Sequence, residues 1–133
     1  RPVPFNPYNL RDQRWGAAIV GFAGPLANIA MVVLFGVLAR AFIGLGVENR
    51  LFILLISVVQ INLALLLFNL IPIPPLDGSK VLFALLPPSG QPIRHFLERY
   101  GLYLLLALVI FGTSLFGQFF SVLYNAVLRI IFV

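Results

Sequence analysis

The chain has 133 residues, of which 61% are hydrophobic and only 10% charged, with a mean hydropathy of +1.04. A soluble domain carries roughly 25% charged residues, so this composition excludes an ordinary water-soluble globule. The net charge of +5 is held by basic residues flanking apolar runs, which points to anionic lipid headgroups and away from nucleic acid. Cysteine is absent, which removes disulfides, thiol catalysis and thiolate metal sites.

Three windows carry no charge: Trp15–Ala39, Leu51–Leu76 and Tyr100–Leu128. Each meets or exceeds the roughly 20 residues that a helix needs to cross a bilayer. The expected fold is therefore all-α, a polytopic transmembrane helical bundle with a proline-broken helix. The first window follows a polar, proline-containing lead and is too long for the apolar core of a signal peptide.

Residues 1–14 read as an interfacial lead, with Pro2, Pro4 and Pro7 fixing the backbone and Asn9 or Asp12 placed to cap the helix that follows. A first span covers 15–42. Its Gly21, Gly24, Ala27 and Ala30 permit close helix contact in lipid, and Pro25 predicts a kink or restart. Asn28, one turn beyond Gly24, is expected to face protein. Arg40 to Arg50, with Gly44, Gly46 and Glu48, form a short loop. A second span covers 51–70. Its Ser57, Gln60, Asn62 and Asn69 are costly in lipid unless most face the bundle interior.

Pro72, Pro74 and Pro75 then forbid a regular helix. Residues 71–90 read as a proline-rich break followed by a short helix near Asp77–Leu86, ended by Pro87-Pro88-Ser89-Gly90. Residues 91–133 open with Arg94, His95, Glu98 and Arg99 and continue as a third span, with Gly112–Gly117 placed to split it. If the first two spans cross, residues 1–14 and 77–99 share one side with six Lys or Arg against two in the loop, Arg40 and Arg50. The positive-inside rule puts the shared side in the cytoplasm.

Asp77 carries most of the chemistry, because a carboxylate at the end of an apolar run must reach water, find a partner or bind something. It suits a helix cap or a pair with Lys80, and equally a metal ligand or proton relay. Asn69 is placed either to satisfy carbonyls freed by Pro72 or to contact substrate. The single histidine, His95, lies in a polar segment and reads as interfacial. Ser57, Ser79, Ser89 and Ser114 have no neighbouring base, and no glycine-rich phosphate loop is present. One carboxylate does not make a catalytic zinc site, which needs three protein ligands and an open position.

Asn69-Leu-Ile-Pro72-Ile-Pro74-Pro75-Leu-Asp77-Gly78 resembles the Asn-x-x-Pro…Leu-Asp-Gly motif of the site-2 protease family, the intramembrane zinc metalloproteases. Gly24-Pro25-Leu-Ala-Asn28 is similar to that family's Gly-Pro-x-x-Asn signature. Pro2-Val-Pro4-Phe-Asn6-Pro-Tyr-Asn-Leu10-Arg resembles the loop before that helix in compact prokaryotic members. The three agree in order and separation and cover nearly the whole chain. The resemblance implies Zn2+ as cofactor, with Asp77 as its third protein ligand. It also implies Asn69 as a catalytic residue steadying the scissile carbonyl or oxyanion, and Gly24, Pro25, Asn28, Pro72, Pro74, Pro75 and Gly78 as structural or substrate-groove residues. Ser79 stands where many members have a second glycine.

The family's other two ligands and its general base come from a His-Glu-x-x-His helix, which this sequence lacks. The resemblance therefore predicts that residues 1–133 are the C-terminal part of a single membrane-embedded protease domain. The chain alone should be inactive, and an upstream segment of the same polypeptide should supply the missing ligands. The implied activity is hydrolysis of peptide bonds in or near transmembrane segments, in a prokaryotic cell membrane, with the active-site side facing the cytoplasm. Its partners would be a membrane-protein or transmembrane-peptide substrate and the bilayer. A family-like scaffold without catalysis and a transporter fragment are the alternatives. A gene without His-Glu-x-x-His would select the scaffold, and an internal repeat would select the transporter.

Overall fold

A computed structural model of the chain describes residues 13–46 and 50–133. The proline-containing lead with its candidate caps Asn9 and Asp12 falls almost wholly outside the described residues, as does Glu48. Among the described residues the helices are α1 (Gln13–Gly44), α2 (Arg50–Asn69), α3 (Asp77–Leu85), α4 (Gln91–Phe111) and α5 (Thr113–Phe132), with a 3-10 turn at Pro88–Gly90 before α4. No strand occurs among them, so the chain is all-α.

Three of the helices are long and apolar enough to cross a membrane: Trp15–Gly44, Arg50–Asn69 and Thr113–Phe132. At about 1.5 Å per residue, the 20 residues of α2 extend about 30 Å, the thickness of a hydrocarbon core. The third candidate is α5, not the uncharged window Tyr100–Leu128, because Gly112 ends α4 and divides that window. The part before Gly112 belongs to a helix whose first half carries Arg94, Glu98 and Arg99.

Pro25 lies inside α1, which continues through it without a restart. Proline cannot donate to the carbonyl one turn earlier, here that of Gly21. In a bundle such a loss is tolerated because neighbouring elements and polar groups re-satisfy the freed backbone, and Pro25 is itself buried.

The core joins α1, α2 and α5. Val32, Val59 and Leu63 are buried at its centre, with Phe35, Leu66, Phe120, Leu123, Tyr124, Val127 and Ile131 packed around them. Phe68 meets Phe116, and Phe52 meets Phe132, so α5 runs antiparallel to α2. At the far end of α1, Gly36 leaves space for the Ile131 side chain. Nearby, Arg40 donates from Nη1 to the Ile131 carbonyl at 2.7 Å.

The polar residues of α2 are handled locally. Ser57 Oγ donates to the Ile53 carbonyl and Asn62 Nδ2 to the Val58 carbonyl, both at 2.8 Å. Bonding back to the preceding turn removes most of the lipid penalty without a partner helix. Gln60 is exposed, so the expectation that these side chains mostly face the interior does not describe it.

After Asn69 the chain leaves helical geometry. The Ile71 N–H donates to the Phe68 carbonyl, and the Leu76 N–H to the Ile73 carbonyl across Pro74 and Pro75, whose connecting peptide bond is cis. Helix α3 starts at Asp77, where an acidic side chain in the first turn suits the positive end of the helix dipole. It buries the small residues Gly78, Ser79 and Ala84 and packs on α1. Leu86, preceding Pro87, is forced into the extended region (φ −65°, ψ 130°) and ends the helix. Arg94 of α4 stacks over the Phe83 ring of α3, 5.2 Å from its centroid.

Candidate functional site

Helix α1 presents a face without side chains to the start of α3. A Cβ added at Gly21 would lie 3.0 Å from both the Asp77 carbonyl oxygen and the Lys80 Cβ, and one at Gly24 would lie 2.8 Å from Asp77 Oδ2. These two glycines therefore let the backbone and carboxylate of Asp77 rest directly on α1. The close approach needs no unusual backbone at either position, only the missing methyl.

The two oxygens of Asp77 are not equivalent. Oδ1 accepts a hydrogen bond from Lys80 Nζ at 2.8 Å, whereas Oδ2 lies over Gly24 and accepts none from a described residue. The Asp77 side chain is 27% exposed and that of Lys80 41%. Leu76 is the cap residue, and no side chain caps α3. Of the simple roles open to Asp77, the structure thus displays the Lys80 pair and not the cap.

The proline break wraps the other side of the same residue. A Cβ on Gly78 would collide with the carbonyls of Leu70 and Ile71, so the irregular backbone lies against the first turn of α3. Ser79, 4% exposed, donates from Oγ to the Leu76 carbonyl at 2.6 Å and ties the end of the break to that turn. From the other direction α4 closes on the break at Gly101, where a Cβ would sit 2.6 Å from the Pro74 carbonyl oxygen.

Asn69 is the last residue of α2 and is half-buried, as is Asn28 on α1. Pro72 and Pro75 are exposed and Pro74 is half-buried. His95 is not brought to Asp77. It sits on α4 with its side chain 75% exposed and Nδ1 4.0 Å from Glu98. A cavity of about 540 Å³ opens beside the site, walled by Lys80, Phe83, Arg94 and their neighbours and reaching Ala17 on α1. Neither Asn69 nor Asp77 lines it.

Whether these residues fit a catalytic zinc is decided by the donors. Among the described residues no three His, Cys, Asp or Glu side chains converge. Beside the break they provide one carboxylate, Asp77, with Oδ1 held by Lys80 and Oδ2 lying against Gly24. The fit is that of one ligand, and a complete site needs donors beyond these residues.

The Lys80 pair and close helix contact at Gly21 agree with the sequence reading, whereas Gly101 gains a weight that the sequence reading did not assign it. The spacing of Asp77 and Lys80 allows their pair on a helix. A glycine within a long helical run, such as Gly101, signals close backbone approach without naming the partner.

The profile of peptidase family M50 matches residues 46–112. A protein of Bacillus subtilis (strain 168) named "Putative zinc metalloprotease YwhC" is 30% identical over 120 residues, covering 83% of this chain and 53% of its own length. A protein of Methanocaldococcus jannaschii named "Putative zinc metalloprotease MJ0611" is 41% identical over 63 residues, covering 47% of this chain and 31% of its own. The chain thus spans about half the length of the first of these relatives and less of the second. No solved structure matches the chain at a significant level.

Proposed function

The chain belongs to peptidase family M50, and from that premise we propose that it forms part of an intramembrane zinc metalloendopeptidase, contributing Asp77 as a metal ligand. The observation that carries this reading is the Asp77 carboxylate beside the proline break, with Oδ2 over Gly24 and Oδ1 on Lys80. The remaining ligands and the general base come from a His-Glu-x-x-His segment elsewhere in the same polypeptide. Zinc, when bound, polarises a carbonyl and activates water.

The chain's own residues bind and orient the substrate. An intact helix hides its amides and carbonyls within itself, so a transmembrane substrate must unwind locally before hydrolysis. Residues 70–76 offer irregular backbone for an unwound strand to pair with, and such backbone is tolerated at membrane depth where it lines a cavity. The Asn69 side-chain amide donates to the scissile carbonyl and holds it as negative charge develops. Gly24, Pro25 and Asn28 support the site from α1. The Asp77 end of the bundle faces the cytoplasm, a reading that the excess of basic residues on that side supports.

The test is zinc content and cleavage of a model transmembrane substrate by the full-length protein in liposomes, with Asp77→Ala and Asn69→Ala alongside. D77A is expected to lose both zinc and cleavage while keeping its helical content. N69A is expected to keep zinc and to lose about 10²–10³-fold in kcat, the usual effect of removing an oxyanion donor. Full zinc and activity in D77A would remove Asp77 from the metal site. A wild-type protein that binds no zinc would indicate a non-catalytic scaffold of the same family.

A further inference from the structure

We propose that the cavity between α1, α3 and the start of α4 binds the phosphate headgroup of an anionic phospholipid. The inference stands apart from the metal reading, because neither Asp77 nor Asn69 lines this cavity.

The polar part of the wall is cationic. Lys80 and Arg94 line it together with Gln91, whereas the carboxylates Asp77 and Glu98 do not. Lys80 Nζ donates to Asp77 Oδ1 and Arg94 Nε to Glu98 Oε1, both at 2.8 Å. The Arg94 guanidinium is also steadied over the Phe83 ring. An ammonium and a guanidinium each carry several donors, and the remaining ones have no hydrogen-bond partner among the described residues. The carboxylates thus hold the two cations in place and leave the wall positive. Gln91 is the first residue of α4, whose first turn has no acidic side chain and whose cap makes no side-chain hydrogen bond. The positive end of that helix dipole adds to the two cations.

The rest of the wall is apolar, with Phe83 and Ala84 of α3 and Leu86 at its end. A free inorganic anion gains nothing from such a surface, whereas an amphiphile buries hydrocarbon against it.

Depth points to the same ligand. Helix α3 runs antiparallel to α1, since Asp77 meets Gly24 and Lys80 meets Gly21. The cavity therefore extends from Lys80 toward Ala17, just inside the membrane-length run that starts at Trp15. Trp15 is exposed, and an exposed Trp at the end of an apolar span marks the headgroup level. A phosphate held by Lys80 and Arg94 lies where a lipid presents one, and basic pockets between membrane helices recognise such headgroups.

The experiment uses the full-length protein in micelles of an uncharged detergent. Equilibrium binding of radiolabelled phosphatidylglycerol is measured, with unlabelled phosphatidylglycerol, phosphatidylcholine and inorganic phosphate as competitors. The variants are Arg94→Gln, Lys80→Gln, Arg99→Gln and Ala17→Phe, each checked by thermal melting. Wild type is expected to bind phosphatidylglycerol saturably, and the other two competitors are expected to displace it only weakly. R94Q and K80Q are each expected to weaken binding about fivefold, the usual effect of one basic residue near an anionic headgroup. R99Q removes the same charge from an exposed residue of α4 that does not line the cavity, and is expected to bind as wild type does. A17F is expected to abolish saturable binding with no change of charge, by filling the cavity from α1.

Equal weakening by R94Q, K80Q and R99Q would overturn the proposal in favour of diffuse charge attraction. Wild-type binding by a folded A17F, or no saturable binding by wild type, would overturn it as well. Inorganic phosphate competing as strongly as phosphatidylglycerol would overturn the lipid assignment and leave a site for free phosphate. If A17F does not fold, R94Q and K80Q against R99Q decide the matter.

Discussion

At Gly78 the first turn of α3 is pressed against the Leu70 and Ile71 carbonyls so closely that no Cβ fits. Both obstacles are backbone, so neither can rotate away as a side chain would. Gly78→Ala should therefore destabilise the protein by about 1–3 kcal/mol, the usual cost of overpacking, measured by chemical unfolding in micelles. Unchanged stability would mean that the break can move away from α3. Asp77 stood out in the sequence because a carboxylate at the end of an uncharged run is costly in lipid. Its Lys80 partner was also within reach of sequence reasoning, through helical spacing. Its contact with Gly24 was not, since nothing local to either residue encodes the packing of α3 on α1.

Among the helices, α4 is distinguished by its approach to the break rather than by its length. Gly101, buried in its middle, admits the Pro74 carbonyl, with a Cβ expected only 2.6 Å away. Gly101→Val should push α4 off the break and cost about 1–3 kcal/mol. The control is Gly117→Ala on α5, where a Cβ meets nothing within 4 Å. There the better helix former should leave stability unchanged or raise it by about 0.5–1 kcal/mol. Thermal melting of both variants side by side checks the pair, and equal effects would contradict the α4 contact. Pro25 teaches the complementary lesson. Its residue type announces a break, yet α1 passes through it, because one lost hydrogen bond is small against the packing of a long helix on α2 and α3.

For the molecule as a whole, α1, α2 and α5 form the core, while α3, the break and α4 gather at the Asp77 end. Orientation in the bilayer can be read with single cysteines, since the chain has none of its own. Ser89→Cys, on the exposed turn before α4, should react with a membrane-impermeant thiol reagent only from the cytoplasmic side. Leu45→Cys, in the exposed turn after α1, should react only from the opposite side. Labelling of both from one face would rule out crossing by α2, and labelling of each only from the face opposite to that expected would reverse the orientation.

By itself the sequence determined the medium and the fold class, because long uncharged runs have no other economical solution than helices with internally satisfied backbones. It also determined the family, through short motifs whose order and separation survive in the chain. Tertiary structure alone decided that Gly24 lies under one Asp77 oxygen and that Gly101 meets Pro74, and it selected among readings the sequence had left open, the Lys80 pair for Asp77 and a division at Gly112 that makes α5 the third membrane-length helix. The reason is physical. Hydropathy is a property of each residue in its solvent, whereas a close approach between helices depends on the shape of two surfaces brought together by the packing of everything else.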